Sequence, residues 1–180
     1  MFAEVCERTL RDKQLAQLIA QDELIFRRHA WKRNGQSVVF ASGCFDLLHP
    51  GHVRLLEQAR SHGDILVVGI RSDESVRAAH AGESHPPVSS RPISPAAERA
   101  EILAALAAVD YVVEFDDSNL AALLERLAPD AVVQAGSPDR RPAAPGEPPV
   151  AGGAPKIVHI LLEPGYSTAR LIERIIHLPA

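Results

Sequence analysis

The chain has 180 residues, 46% of them apolar and 23% charged, and a formal net charge of −4. That is length enough for one domain with a real core, in the ordinary composition of a soluble protein, and it offers no basic stripe for nucleic acid. No apolar run approaches a transmembrane helix, the segment Met1 to Arg11 carries Glu4, Glu7, Arg8 and Arg11 rather than a signal-peptide core, and Cys6 and Cys44 are too few for a disulfide framework. These features point to a cytoplasmic protein with a reduced Cys44 thiol, with neither nucleic acid nor membrane as a partner.

Residues 1–34 precede the first expected strand. Leu15, Leu18, Ile19, Ile25 and Phe26 make a helical stripe interrupted by Asp22. Trp31, Lys32-Arg33 and the turn Asn34-Gly35 follow. The expectation is a helical extension packed on the outside of the domain or at a dimer contact. Ser37 to Ala41 is a short β-branched apolar run that reads as a buried strand. Ser42 to Leu48 is a loop. Pro50 suits the first turn of a helix, which runs on through Leu55, Leu56 and Ala59 and stops at Gly63.

Asp64 to Ile70 is a second buried strand, so the two strands and their helix form a parallel βαβ unit. Ser72-Asp73 caps a short helix to about Ala79. Ala81 to Pro95 is a loop rich in Gly, Ser, His and Pro. Ala96 to Ala108 reads as helix, Val109 to Phe115 as strand, Leu120 to Leu127 as helix and Ala131 to Gln134 as strand. Six prolines between Gly136 and Pro155 forbid a regular helix there. Lys156 to Leu161 is the fifth strand. A last helix begins near Ser167-Thr168 with the stripe Leu171, Ile172, Ile175 and Ile176. Strand–helix alternation gives an α/β, Rossmann-like doubly wound architecture, a mainly five-stranded parallel sheet with flanking helices. Ligands bind such sheets at the carboxyl ends of the strands, where the strand order reverses.

The stretch His49-Pro50-Gly51-His52 stands where the first of these strands hands over to its helix. Backbone N–H groups and the helix dipole favour an anion at that place. Two imidazoles able to carry protons would add to the attraction. With the preceding Gly43-Cys44-Phe45-Asp46-Leu47-Leu48, this stretch resembles the signature of the cytidylyltransferase-like nucleotidyltransferases, a Phe-Asp pair followed by His-x-Gly-His. The likeness extends to Gly63-Asp64, Ser72-Asp73, Arg91-Pro92, the run Arg99 to Asp110 and Pro164-Gly165-Tyr166-Ser167-Thr168. Within the family these are most similar to the bacterial heptose-1-phosphate adenylyltransferases, over about Ser37 to Ile176.

The resemblance implies transfer of a nucleotidyl group from ATP to a sugar 1-phosphate, with pyrophosphate released and Mg2+ required. It implies a nucleotidyltransferase domain over 35–180, and a homodimer with the N-terminal segment as its natural contact. Catalysis would fall to His49 and His52, which hydrogen-bond the triphosphate and stabilise charge at the α-phosphate. Nucleotide binding would fall to Gly43, Cys44, Phe45, Asp46, Gly51, Arg99, Gly136, Tyr166, Ser167 and Thr168. Gly51 lets the backbone approach the phosphates. Ser167 and Thr168 either donate to phosphate or simply cap their helix. Asp46 is read as fixing the loop through nearby N–H groups. No metal ligand set is expected, the cation being held through nucleotide phosphates. Arg91 is the candidate substrate-binding cation, and Arg77 reads as a solvated charge.

Three segments depart from the family pattern. Gln134-Ala135-Gly136-Ser137 stands for Lys-Gly-Gly-Asp, His80-Ala81-Gly82 for a Lys-Gly pair, and Ser167-Thr168-Ala169 for Ser-Thr-Thr. They keep two alternatives open. One is a CTP-dependent cytidylyltransferase acting on glycerol 3-phosphate or phosphoethanolamine. The other is a nucleotide-binding module with little catalysis.

Overall fold

A computed structural model describes residues 17–81, 91–136, 155–162 and 164–177. The element order is β1 (Gln17–Leu18), α1 (Gln21–Arg33), β2 (Val38–Gly43), α2 (Pro50–Arg60), β3 (Ile65–Arg71), α3 (Asp73–Ala79), α4 (Ala96–Ala104), β4 (Tyr111–Phe115), α5 (Leu120–Leu127), β5 (Ala131–Gly136), β6 (Lys156–Leu161) and α6 (Thr168–Ile176). Most of the loop expected over Ala81 to Pro95, the interior of the proline-rich loop, and the positions Leu15, Cys6, Gly82 and Ser137 lie outside the described residues.

The strands form one sheet in the order β1-β4-β3-β2-β5-β6, and every pairing is parallel. The order runs one way from β2 to β4 and the other way from β5 to β6. The switch therefore lies between β2 and β5, beside the loop that follows β2. Both faces are covered. Val39, Ala41, Leu66, Val68 and Val133 pack under α2 and α4 with Leu55, Leu56, Ala100 and Leu103. Val38, Phe40, Val67 and Val132 pack under α1 and α5 with Leu24, Trp31, Leu123 and Leu127. Adjacent residues of β2 are thus buried on opposite faces, which is why it reads as an unbroken apolar run.

Six strands replace the expected five. The addition is β1, two residues paired in register with Tyr111 and Val112. A strand that short shows no periodicity in sequence. It also moves the N-terminal helix. Leu18 lies in β1 and is exposed, and Phe26 is 78% exposed, so neither belongs to a buried stripe. The buried face of α1 is Leu24, Arg28 and Trp31, and the helix packs on α5 and β4. Its central residue is a cation. Arg28 donates from Nε to Leu127 O at 3.1 Å and from Nη2 to Ala128 O at 2.9 Å and Asp130 Oδ2 at 3.1 Å. Ala128 ends α5 in the left-handed region at φ 43°, and Arg28 holds the two carbonyls that this turn exposes. Asp130 also accepts from Val38 N at 2.7 Å, tying the entry to β5 to the start of β2.

The remaining elements lie close to expectation. Ser72 caps α3 by accepting from Ser75 N. α4 ends at Ala104, four residues early, where Leu106 N and Val109 N bond in tight turns to Leu103 O and Leu106 O. α6 forms where expected, yet its stripe is not buried: Ile175 and Ile176 are 55% and 44% exposed. Among the described residues no helix is long and apolar enough to cross a membrane.

Replacing Arg28 with alanine strips the Leu127 and Ala128 carbonyls of their donors. Unfolding free energy is expected to fall by about 2–4 kcal/mol, read from denaturant midpoints at unchanged slope. An unchanged midpoint would mean that water serves those carbonyls equally well.

Candidate functional site

The loop after β2 is shaped by Phe45, which adopts φ 51° although it is not glycine. Left-handed backbone at such a residue costs about 1–2 kcal/mol, and burial repays it: Phe45 is 3% exposed and its ring meets the His52 ring edge-on at 5.2 Å. Gly43 makes room, since a β-carbon there would come within 3.0 Å of the Phe45 ring. The strained turn thus places an aromatic wall against a histidine at the tip of α2.

His49 is the N-cap of α2, with Pro50 as the first helical residue. Its Nδ1 accepts from His52 N at 3.3 Å. That bond leaves the proton of a neutral ring on Nε2, so His49 presents a donor. The His49 and His52 rings stack at 3.8 Å between centroids. Gly51 permits the arrangement. A β-carbon there would lie 3.0 Å from Tyr166 Cβ and 3.1 Å from two atoms of the His49 ring. Tyr166 covers the pair at 6.4 Å from His49, and Arg54 lies over the Tyr166 ring at 5.6 Å. Arg54, one turn beyond Gly51, was not apparent from sequence. His49 also forms one wall of an open cavity of about 570 Å³ between α2 and α4, lined by Leu48, Val53, Ile102 and Leu106 and bordered by Arg54 and Glu57.

Burial lowers the proton affinity of both histidines. His52 is pushed down to about 4, first by desolvation and then by the neighbouring His49. His49 is lowered by desolvation, partly opposed by a backbone hydrogen bond. The sequence suggested two imidazoles able to carry protons. Desolvation favours the neutral form of both rings near pH 7, with the neighbouring His49 as a lesser cause for His52. His52 Nδ1 is buried without a protein partner. A buried polar atom in that state is suited to a ligand's hydrogen bond.

Asp46 has a fully buried side chain. Its carboxylate accepts from Ile93 N at 2.6 Å, Ser94 N at 3.1 Å and Arg91 Nε at 3.0 Å. This is the loop-fixing arrangement expected for it, and it brings Arg91 to the motif. Arg99 is placed otherwise than as a direct nucleotide contact. It is 1% exposed, and it donates to Ser94 O, Cys44 O, Arg71 O and Asp73 Oδ1 at 2.6–2.9 Å. Four of its five donors are spent on protein, so it acts on the site through the loops it joins. Cys44 contributes its carbonyl to that knot, and burial pushes its thiol up, away from thiolate near neutral pH. Gly136 is the buried last residue of β5, opposite Leu161. Ser167 caps α6 by accepting from Arg170 N at 3.2 Å, and Thr168 is its first residue. Arg77 is exposed. Among the described residues no group of three or more His, Cys, Asp or Glu could hold a metal.

Comparison with known proteins agrees with this geometry. A family model described as cytidylyltransferase-like matches residues 40–139, more than half of the chain. The chain is 44% identical to the bifunctional protein HldE of Koribacter versatilis (strain Ellin345) over 160 residues, 88% of this chain and 31% of that protein. It is 40% identical to the protein of the same name from Rhodopseudomonas palustris (strain HaA2), covering 96% of this chain and 35% of that one. The chain thus spans about a third of the length of these curated relatives. Among solved structures, the lipopolysaccharide core biosynthesis protein of Thermoplasma volcanium GSS1 aligns with a TM-score of 0.60 at 24% identity, over 72% of this chain and 99% of that one. It supports the fold.

The depressed His52 pKa has a consequence for stability. The ring binds protons more weakly folded, at about 4, than unfolded, at 6.5. Its contribution is whole above pH 6.5 and is lost as pH falls toward 4, by at most roughly 3 kcal/mol. Denaturation midpoints measured from pH 7 to 4.5 should fall less steeply in His52→Asn than in the parent. Equal slopes would show that His52 is protonated freely in the fold.

Proposed function

The chain belongs to the cytidylyltransferase-like family, and on that premise we propose that it transfers the adenylyl group of ATP to a sugar 1-phosphate, heptose 1-phosphate foremost, releasing pyrophosphate. The observation that carries this reading is the stacked, desolvated histidine pair at the N-terminus of α2, roofed by Tyr166 and walled by Phe45. The likeness to proteins named HldE supports the choice of sugar phosphate.

The acceptor's phosphate oxygen is already anionic and needs no strong base. It attacks the α-phosphorus, and the bond from that phosphorus to the pyrophosphate oxygen breaks. Charge grows on the equatorial and leaving oxygens, so catalysis is positioning and electrostatic stabilisation. His49 donates from Nε2. His52, in the tautomer with its proton on Nδ1, donates from that partnerless nitrogen, and Gly51 N–H, without an intrahelical acceptor by its position, adds a backbone donor. Ser167 and Thr168, at the N-terminus of α6, would donate to another phosphate. Arg91, held by Asp46, meets the acceptor phosphate.

Mg2+ belongs to this reading as the usual companion of a triphosphate, neutralising its charge when bound. The described residues offer no ligand cluster for it, and the Asp46 carboxylate is filled by three donors. In this reading the ion would be held mainly through nucleotide oxygens. A cytoplasmic site of action follows from the supply of nucleotide.

The test is pyrophosphate release with Mg2+, for ATP and CTP separately, with heptose 1-phosphate, other sugar 1-phosphates, glycerol 3-phosphate and phosphoethanolamine. ATP with a sugar 1-phosphate should turn over. His49→Ala and His52→Ala should each lower that rate by about 10²–10³ or more, as removal of a transition-state donor does. Turnover with CTP alone would assign the cytidylyl alternative. Nucleotide binding with no turnover for any pair would overturn the enzymatic reading.

A further inference from the structure

We propose that His80 is a positioning residue that sets the angle of the Arg91 guanidinium toward the acceptor phosphate, a role resting on the functional reading above. His80 is the C-cap of α3. Its backbone N–H and its ring Nδ1 both reach the Val76 carbonyl, at 3.2 and 2.8 Å. A carbonyl only accepts, so Nδ1 carries the proton and Nε2 of the neutral ring is left with a lone pair. Arg91 Nη1 lies 3.0 Å from that Nε2. An arginine only donates, so the tautomer imposed by the end of α3 is the one that Arg91 needs.

The guanidinium is therefore gripped at two points on one side. Asp46 takes Nε and His80 takes Nη1. Among the described residues Nη2 has no acceptor, and the Arg91 side chain is 16% exposed. Two grips fix the plane of a rigid fork, so the Nη2 edge is presented in one orientation, as bidentate recognition of a phosphate requires. Asp46 alone would leave the plane free to turn about the single Nε bond. The chain from α3 through His80 and Arg91 to Asp46 ends one residue from Phe45, which packs on His52. The acceptor cation and the histidine pair are thereby placed by one connected set of bonds.

The experiment compares the parent, His80→Ala, His80→Gln, Arg91→Ala and the His80→Ala/Arg91→Ala double variant. Heptose 1-phosphate is titrated calorimetrically with Mg2+ and a non-hydrolysable ATP analogue present, and KM is measured for both substrates. His80→Ala should weaken heptose 1-phosphate roughly tenfold, while the KM for ATP stays within about twofold. His80→Gln, whose amide oxygen accepts from Arg91, should regain most of the loss. In the Arg91→Ala background His80→Ala should add nothing, because the two act as one unit. Unchanged acceptor affinity in a folded His80→Ala, or an effect additive with Arg91→Ala, overturns the role. Should the parent bind no acceptor, the substrate reading fails on its own. The 15N shifts of His80 then decide the rest: a proton on Nδ1, and an Nε2 shift that moves in Arg91→Ala, support the linkage, and a proton on Nε2 overturns it.

Discussion

The site depends on one buried cation. Arg99 reaches up from α4 into the end of the sheet and binds the loop after β2 at Cys44, the end of β3 at Arg71, the start of α3 at Asp73, and its own entry at Ser94. A guanidinium held away from water is expensive unless its donors are filled, and here four acceptors converge on it. Asp46 repeats the device in the opposite sign, a buried carboxylate filled by Ile93 N, Ser94 N and Arg91. Between them the two charges lock residues 91–94 against the motif loop, and Phe45 of that loop packs on His52 of the helix.

That rigidity has a chemical use. Donors aimed at a transition state stabilise it best when they need not reorganise during reaction. His49 is fixed by its own cap, His52 by the stack and by Phe45, and Tyr166 by the absence of a side chain at Gly51. The arrangement is not optimal for stability. Desolvation disfavours the charged form of two stacked imidazoles, the buried Nδ1 of His52 has no protein partner, and Phe45 has unfavourable backbone. Strain and desolvation gathered at one place mark a site shaped by function rather than by folding alone.

The sequence shows most of the framework because the framework is local. Ser72 as a cap, α5 from Leu120 to Leu127 and β6 from Lys156 to Leu161 are set by capping, period and flanking breakers, all of them short-range. The histidine motif is legible for the same reason, being a strand, a loop and a helix start in succession. What was missed is tertiary. β1 is two residues held only by its pairing with β4. Arg28 looks like a surface charge until the carbonyls of a distant helix end are seen against it. Arg99 reads as a ligand for phosphate, and its burial among protein acceptors is set by segments up to 55 residues away. His80 looks like a missing cation, and only its two neighbours make it an acceptor.

The most direct test of the account is the state of the two histidines with and without nucleotide. The 15N spectra of His49 and His52 should show two neutral rings near pH 7 in the free protein, His49 with its proton on Nε2. Addition of a Mg2+ complex of a non-hydrolysable ATP analogue should move both rings together, with proton uptake or a new donor bond to phosphate, and should broaden Tyr166. Saturating nucleotide that leaves both rings unshifted would contradict the central claim that this stacked pair is where the triphosphate is held.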